Sequence, residues 1–318
     1  VLPLKKVCKG VILSIGVIFP GQGSQSVGMG KDLFENSVEV KRYFEQASDI
    51  LKEDMVKLCF EENKKLNLTQ YTQPAILLVS YSVFSLVLPK IKNQISFGLG
   101  HSLGEFSALC ASGALSFEQA ISLVSKRGYL MEESCKSKKA GMMVVLGLED
   151  GILEEFCAKR RNQGLKVWCA NYNGDGQMVL AGSKEDLSAL EVEIKGLGAK
   201  RALMLQMSVA SHCPILQGMC ADFKVLLEES LGDSFEFPII SNVNAKPYQS
   251  KAQALNLLAE QLISPVLYKQ SIKDNDKEID IFIECGGNVL KGLNKRLSQK
   301  ETISLQNYAE IQDFLQKD

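Results

Sequence analysis

The chain has 318 residues, 46% of them hydrophobic, enough to bury the core of one large α/β domain or of two smaller ones. Its 36 Lys and Arg nearly cancel 37 Asp and Glu, which removes the electrostatic footprint of a nucleic-acid binder and leaves nucleic acid out as a partner. Nine cysteines are scattered from Cys8 to Cys285 with no C-x-x-C pair and no clustering with the two histidines; they read as reduced thiols in a cytoplasmic protein and predict no metal site.

Lys5, Lys6 and Lys9 precede an apolar run over residues 11–19 that has the look of a signal-peptide core. The run is too short to span a bilayer, has no small-x-small cleavage site, and empties directly into Pro20-Gly21-Gln22-Gly23. We therefore expect a buried first strand entering a functional loop, with the first ten residues an extension outside the fold and no membrane partner. The loop from Gly21 to Gly28 is not a dinucleotide fingerprint, because Ser26 stands where the third glycine is needed. Its glycines permit close backbone approach and Gln22 can donate to a bound group; a glycine-rich turn with a solvated Gln22 is the competing reading.

Residues 31–66 read as surface helices of mixed charge. Thr72-Gln73-Pro74 then opens a long helix to about Leu88, apolar around most of its circumference, which is core with no chemistry assigned. Residues 95–99 form a short buried strand, and residues 102–112 a helix with few breakers. Between them lies Gly100-His101-Ser102-Leu103-Gly104, the G-x-S-x-G pattern in the strand-turn-helix setting of a nucleophile elbow. Ser102 is the nucleophile candidate; a tight glycine turn with an incidental serine is the alternative.

Ser116 and Gln119 make a capping-box pattern that starts a helix of about four turns. Ala120, Val124 and Met131 share one stripe of it, and Arg127 lies at the centre of that stripe. A guanidinium on a core-facing stripe requires either an internal carboxylate or a bound anion.

From residue 139 to 206 the pattern changes to strand 141–148, helix 150–161, strands 165–172 and 177–181, helix 184–195 and strand 200–206. The Asn173-Gly174-Asp175-Gly176 stretch is a hairpin signal. This β-α-β-β-α-β order predicts a ferredoxin-like subdomain inserted into a main domain of residues 11–138 and 207–318. A serine nucleophile needs a base, and only His101 and His212 exist. His101 adjoins Ser102 on a sharp turn where successive side chains diverge, so His212 is the base by elimination. Cys213 is the spare nucleophile, without a helix N-terminus or second histidine to lower its pKa. Strand 237–242, helix 252–262, strand 279–284, the Gly286-Gly287 turn and a helix from Val289 extend the βα layout of an open parallel sheet.

Four separated segments carry a resemblance: Phe19-Pro20-Gly21-Gln22-Gly23-Ser24-Gln25, Gly100-His101-Ser102-Leu103-Gly104-Glu105, Val209-Ala210-Ser211-His212 and Gln261-Leu262-Ile263-Ser264-Pro265-Val266. Over about residues 15 to 298 the chain resembles the malonyl-CoA:acyl carrier protein transacylases of bacterial fatty-acid synthesis. The resemblance implies an α/β-hydrolase-like core with a parallel sheet plus the inserted ferredoxin-like subdomain. It implies that Ser102 attacks the thioester of malonyl-CoA, that His212 takes its proton, and that the backbone N–H groups of Gln22 and Leu103 form the oxyanion hole. Arg127 then pairs the free malonyl carboxylate, and Gln261 orients His212 through its main-chain carbonyl. Coenzyme A enters as a thioester substrate and leaves, no cofactor stays bound, and the acceptor is the phosphopantetheine thiol of acyl carrier protein, in ping-pong order. Gly286-Gly287-Asn288 departs from the family's usual Gly-Pro-Gly. Lys200 and Arg201 suggest a basic patch for an acidic carrier, and Ser211 leaves room for a branched malonyl unit. The rival readings are a serine esterase or thioesterase, which leaves Arg127 unexplained, and a non-catalytic relative, which leaves Ser102 and His212 unexplained.

Overall fold

The computed structural model of the chain describes residues 13–207 and 209–317. Lys5, Lys6 and Lys9, the expected extension, the first two positions of the predicted opening strand, and Ser208 lie outside the described residues.

Strand β1 (Ile15–Phe19) is buried at every position, as an unbroken apolar run must be when both faces of a parallel sheet are covered. The glycine loop then delivers the chain to α1 (Lys31–Asn36), α2 (Val38–Leu51) and α3 (Met55–Phe60). Ser37 caps α2 by accepting the Val40 N–H, and the helix turns Val40, Phe44 and Ala47 inward, so this mixed-charge stretch is part surface and part core. Helix α4 (Thr69–Ile91) starts at Thr69 rather than Thr72, and Pro74 sits inside it. The Thr72 hydroxyl donates to the Leu66 and Leu68 carbonyls, which holds a start that no polar cap residue announces. This is the helix long and apolar enough to cross a membrane, but 67% of its apolar window is buried inside the protein, as in a core helix.

Strand β2 (Ile95–Gly100) leads through the elbow into α5 (Leu103–Ala111). Helix α6 (Phe117–Lys136) carries both hydrogen bonds of the predicted capping box. It runs for 20 residues, longer than the four turns expected, because its buried stripe continues to Cys135 and carries it past Gly128.

Next come β3 (Ala140–Leu146), α7 (Asp150–Asn162), β4 (Val167–Gly174), β5 (Gln177–Ser183), α8 (Lys184–Gly196) and β6 (Arg201–Met204). They build an antiparallel sheet of four strands in the order β4-β5-β3-β6, with its own apolar core around Leu153, Leu180, Leu187 and Ile194. The hairpin turn is narrower than predicted: Gly174 pairs with Gln177, leaving Asp175-Gly176 as a two-residue loop with Gly176 at φ 66°. Asn173 thereby belongs to the strand.

The return to the first sheet passes His212 to α9 (Cys220–Ser230), β7 (Ile239–Ile240), β8 (Pro247–Tyr248), α10 (Lys251–Gln261), α11 (Tyr268–Asn275), β9 (Ile281–Cys285), α12 (Val289–Asn294), β10 (Glu301–Leu305) and α13 (Tyr308–Gln316). The strand predicted over 237–242 shrinks to two residues. Pro238 has no N–H to give, and Ser241 and Asn242 direct theirs to the Lys246 carbonyl and the Glu105 carboxylate. Strands β8 and β10 and helices α9, α11 and α13 were not read from the sequence. The main sheet has the order β10-β9-β1-β2-β7-β8, parallel except for β8. The chain is thus a mixed α/β protein with a parallel sheet and a second, antiparallel one. The turn after β9 forms with Gly286 at φ 84°, where a Cβ would meet the Ser80 Cα at 2.8 Å.

Strand β4 of the second sheet is tied to the segment between α10 and α11: the Tyr172 N–H donates to the Val266 carbonyl (2.9 Å) and the Val266 N–H to the Ala170 carbonyl (2.8 Å). The carboxyl ends of β1 and β2 therefore open towards one face of the second sheet, and the site lies in that cleft.

Candidate active site

Ser102 has φ 54° and ψ −104°, a backbone state that costs a non-glycine residue of the order of 1–3 kcal/mol unless its surroundings fix it. Both flanking glycines are steric requirements of that turn. A Cβ on Gly100 would lie 1.8 Å from the Gly104 carbonyl carbon, and one on Gly104 would lie 2.1 Å from the Phe19 carbonyl oxygen. Asn242 then clamps the bend, its Oδ1 accepting the Ser102 N–H (2.7 Å) and its Nδ2 donating to the Gly100 carbonyl (2.6 Å). Ser102 occupies the N-cap of α5 without capping it, so the hydroxyl is free for other partners.

One of those partners is His212. Its Nδ1–H donates to the Gln261 main-chain carbonyl (2.7 Å), an acceptor-only group that fixes the tautomer, and its Nε2 accepts from the Ser102 hydroxyl (2.8 Å). The ring is 2% exposed, and burial, followed by the charge of Arg127, brings its pKa down to about 3. His212 is thus held neutral. Its own φ of 60° is a second strained position at the site. His101 turns away: its Nε2 pairs with the Asn173 Oδ1 (2.8 Å) and its ring leans on Tyr268. Cys213 is fully buried, and burial raises its thiol to about 12, which argues against a thiolate there.

Arg127 is 1% exposed and faces the elbow. Among the described residues no carboxylate forms a salt bridge with it, although the Glu105 charge beyond Gln261 partly offsets its burial. Its Nη1 donates to the Gln73 Oε1 (2.9 Å) and its Nη2 to the Gln261 Oε1 (2.9 Å) and, more weakly, to the Ser102 Oγ (3.3 Å). Its Nε–H has no partner among the described residues, and its guanidinium lies over the Phe106 ring at 5.1 Å. Burial lowers its pKa to about 10, leaving the charge intact. A buried cation whose hydrogen bonds all go to neutral groups, with an Nε–H left over, has donor capacity that an anionic ligand can take up.

Gln22 sits in the same cavity, but its side chain donates to the Thr69 hydroxyl (3.3 Å) rather than into the cavity. Among the described residues neither the Gln22 nor the Leu103 main-chain N–H has a protein acceptor, and both residues line the cavity beside Ser102. The cavity has a volume of about 270 Å³; Met131, Met142 and Val179 make its apolar wall.

Four participants were missed from the sequence. Gln73 lies in the helix read as pure core. Glu105, Asn242 and Tyr248 form a buried cluster behind the elbow in which the Glu105 carboxylate accepts from the Asn242 N–H (3.1 Å), the Tyr248 hydroxyl (2.9 Å) and the Gln261 Nε2 (2.8 Å). Burial raises the Glu105 carboxyl to about 7 against the lowering effect of these donors. The one available signal was Glu105 itself, an acid in an otherwise apolar and small-residue helix.

The acyl transferase domain family model matches residues 17–304. The chain is 37% identical to the malonyl CoA-acyl carrier protein transacylase of Bacillus subtilis, covering 95% of this chain and 96% of the relative. It is 35% identical to that of Staphylococcus aureus, again over 95% of this chain. Among solved structures, the malonyl-CoA:acyl carrier protein transacylase of Helicobacter pylori superposes with a TM-score of 0.91 at 50% identity, covering 95% of this chain and 97% of that one. A malonyl-transacylase in complex with a type II polyketide-synthase acyl-carrier protein gives 0.90 at 35% identity, covering 96% of this chain and 100% of that one. With its strained serine elbow and near-full-length match, the chain belongs to the malonyl-CoA:acyl carrier protein transacylase family and is an acyltransferase.

Proposed function

We propose that this chain moves the malonyl group of malonyl-CoA to the phosphopantetheine thiol of acyl carrier protein, for fatty-acid synthesis in the cytoplasm, through a malonyl ester on Ser102. The observation that carries this reading is the buried, amide-held guanidinium of Arg127 within 3.3 Å of the Ser102 Oγ. An acyl group ending in a carboxylate can pair with this guanidinium; an acetyl group cannot.

In the first half-reaction the Ser102 Oγ attacks the thioester carbonyl carbon while its proton passes to the His212 Nε2. The carbonyl oxygen becomes an oxyanion facing the Gln22 and Leu103 N–H groups, each such donor typically worth about a hundred- to thousandfold in rate. The carbon–sulfur bond breaks, the coenzyme A sulfur takes the proton from His212, and malonyl-Ser102 remains. In the second half-reaction the phosphopantetheine thiol gives its proton to His212, its sulfur attacks the ester, and the Ser102 oxygen recovers the proton. Arg127 also tunes the base. Its charge is the second cause of the low His212 pKa, so a malonyl carboxylate that neutralises it makes the imidazole more basic when substrate is in place.

The β4-β5-β3-β6 strand order supports naming residues 139–206 a ferredoxin-like subdomain, and the elbow after β2 supports an α/β-hydrolase-like core in 11–138 and 207–318. Lys200 and Arg201 are exposed at the edge strand β6, where an acidic carrier finds positive charge. Intact mass after brief incubation with malonyl-CoA tests the reading. A malonyl adduct absent from Ser102→Ala and discharged by acyl carrier protein is expected; free malonate released without transfer would make the protein a hydrolase instead.

A further inference from the structure

The geometry points to Glu105 as a positioning residue that orients the Gln261 amide and, through it, the fork of Arg127. The inference rests on the malonyl-transfer reading and deepens it by explaining how a neutral amide comes to hold a cation in the direction selectivity needs.

Donor and acceptor identities carry the inference. An amide side chain presents an oxygen on one side and an NH2 on the other, and nothing in its shape selects which way round it sits. Glu105, its carboxyl raised to about 7, can carry a proton on Oε1 towards Tyr248, but the Oε2 facing the Asn242 main-chain N–H accepts in either protonation state. At 1% exposure, Glu105 puts its Oε2 between the Asn242 N–H (3.1 Å) and the Gln261 Nε2 (2.8 Å), while the Tyr248 hydroxyl donates to Oε1 (2.9 Å). The Asn242 donor is main chain and cannot flip, so the oxygen opposite it is fixed. The Gln261 NH2 must then face Glu105, where it also reaches the Ser102 carbonyl (3.2 Å), and its Oε1 must face Arg127. The opposite amide orientation would set NH2 against guanidinium, donor to donor, beside a buried charge. The same cluster holds the nucleophile, because Asn242 accepts the Ser102 N–H through its side chain. Glu105 touches neither the cavity-facing hydroxyl nor any group placed in the reaction; its effect passes through Gln261 and Asn242.

Two substitutions separate reach from charge. Glu105→Gln keeps the side-chain length and an oxygen at the Oε2 position; it removes the charge and reverses the Tyr248 bond, its new NH2 donating to the hydroxyl that donated to Oε1. Glu105→Asp keeps the charge and withdraws the oxygen from Gln261 by one methylene. The measurement is kcat/KM for malonyl-CoA and for acetyl-CoA, together with the thermal midpoint. We expect Glu105→Asp to lower the malonyl-to-acetyl ratio by about tenfold or more, and Glu105→Gln to hold it within about threefold of wild type. The reverse pattern would make Glu105 a counter-charge to Arg127 and overturn the positioning role. Equal loss for both thioesters in both variants, with a lowered midpoint, would reduce it to a packing residue. Failure of the wild-type chain to load malonyl would instead remove the transfer reading itself, and this inference with it.

Discussion

In the proposed mechanism a neutral base, His212, works beside a buried cation, Arg127. With its pKa brought down to about 3, His212 carries no proton anywhere near neutral pH. The free-enzyme kcat/KM for malonyl-CoA should therefore stay flat from about pH 8 to about pH 5.5; an acid limb near the ordinary histidine value of about 6.5 would contradict the buried base. The same shift enters stability with a definite sign. Below about pH 6.5 the unfolded chain binds a proton at this histidine and the folded chain does not, so this contribution is fully present above that pH and is lost as the pH falls towards the folded value. In the proposed mechanism Arg127 sets selectivity. Arg127→Ala should cut kcat/KM for malonyl-CoA by about a hundredfold or more while leaving or raising that for acetyl-CoA, since a bidentate charge-assisted pair is lost only for the carboxylate substrate. Equal loss for both would return Arg127 to a structural role.

Between elements, the crossing of α4 and α6 brings Gln73 and Arg127 together. It is close because Gly128 follows Arg127 on the buried face: a Cβ there would lie 2.6 Å from the Gln70 Cα and 2.6 Å from the Thr69 carbonyl oxygen. Gly128→Ala must push the helices apart, at a cost of about 1–3 kcal/mol, despite alanine's better helix propensity. We expect a lower urea midpoint and a lower malonyl-to-acetyl ratio, measured together; a higher midpoint with an unchanged ratio would show that the crossing does not position Arg127. The elbow uses the same device at Gly100 and Gly104, where backbone meets backbone.

At the scale of the whole molecule the site is a seam between two sheets, and polar contacts close it. Lys269 of α11 pairs with Asp150 of α7, and also with Asp175 of the β4-β5 hairpin at 3.3 Å, with side-chain exposures of 20% for Lys269 and 16% for Asp150. Lys273 reaches Asp175 at 2.9 Å. Partial burial makes the Lys269 pair worth more than an exposed one, so Lys269→Met should cost about 1–2 kcal/mol of stability. Amide exchange at Tyr172 and Val266, which join β4 to the segment between α10 and α11, should quicken more than exchange in β1 and β2. Uniform quickening would place the loss in the global fold rather than the seam.

The sequence by itself determined whatever rests on local sterics and periodicity. Gly100 and Gly104 are dictated by a turn with no room for a Cβ, the 3.6-residue period put Arg127 on a buried stripe, and the alternation of strands and helices between residues 139 and 206 gave the second sheet. The segments around Ser102, His212 and Gln261 were legible through their family resemblance, and the chain's membership in the family bears that resemblance out. Their partners come from distant segments that packing brings together. Gln73 reaches Arg127 across 54 residues, Asn242 reaches Ser102 across 140, and Tyr248 reaches Glu105 across 143. Hydrogen-bond complementarity between buried side chains has no sequence period, because it depends on which donors and acceptors the packed sheets leave facing one another once water is excluded.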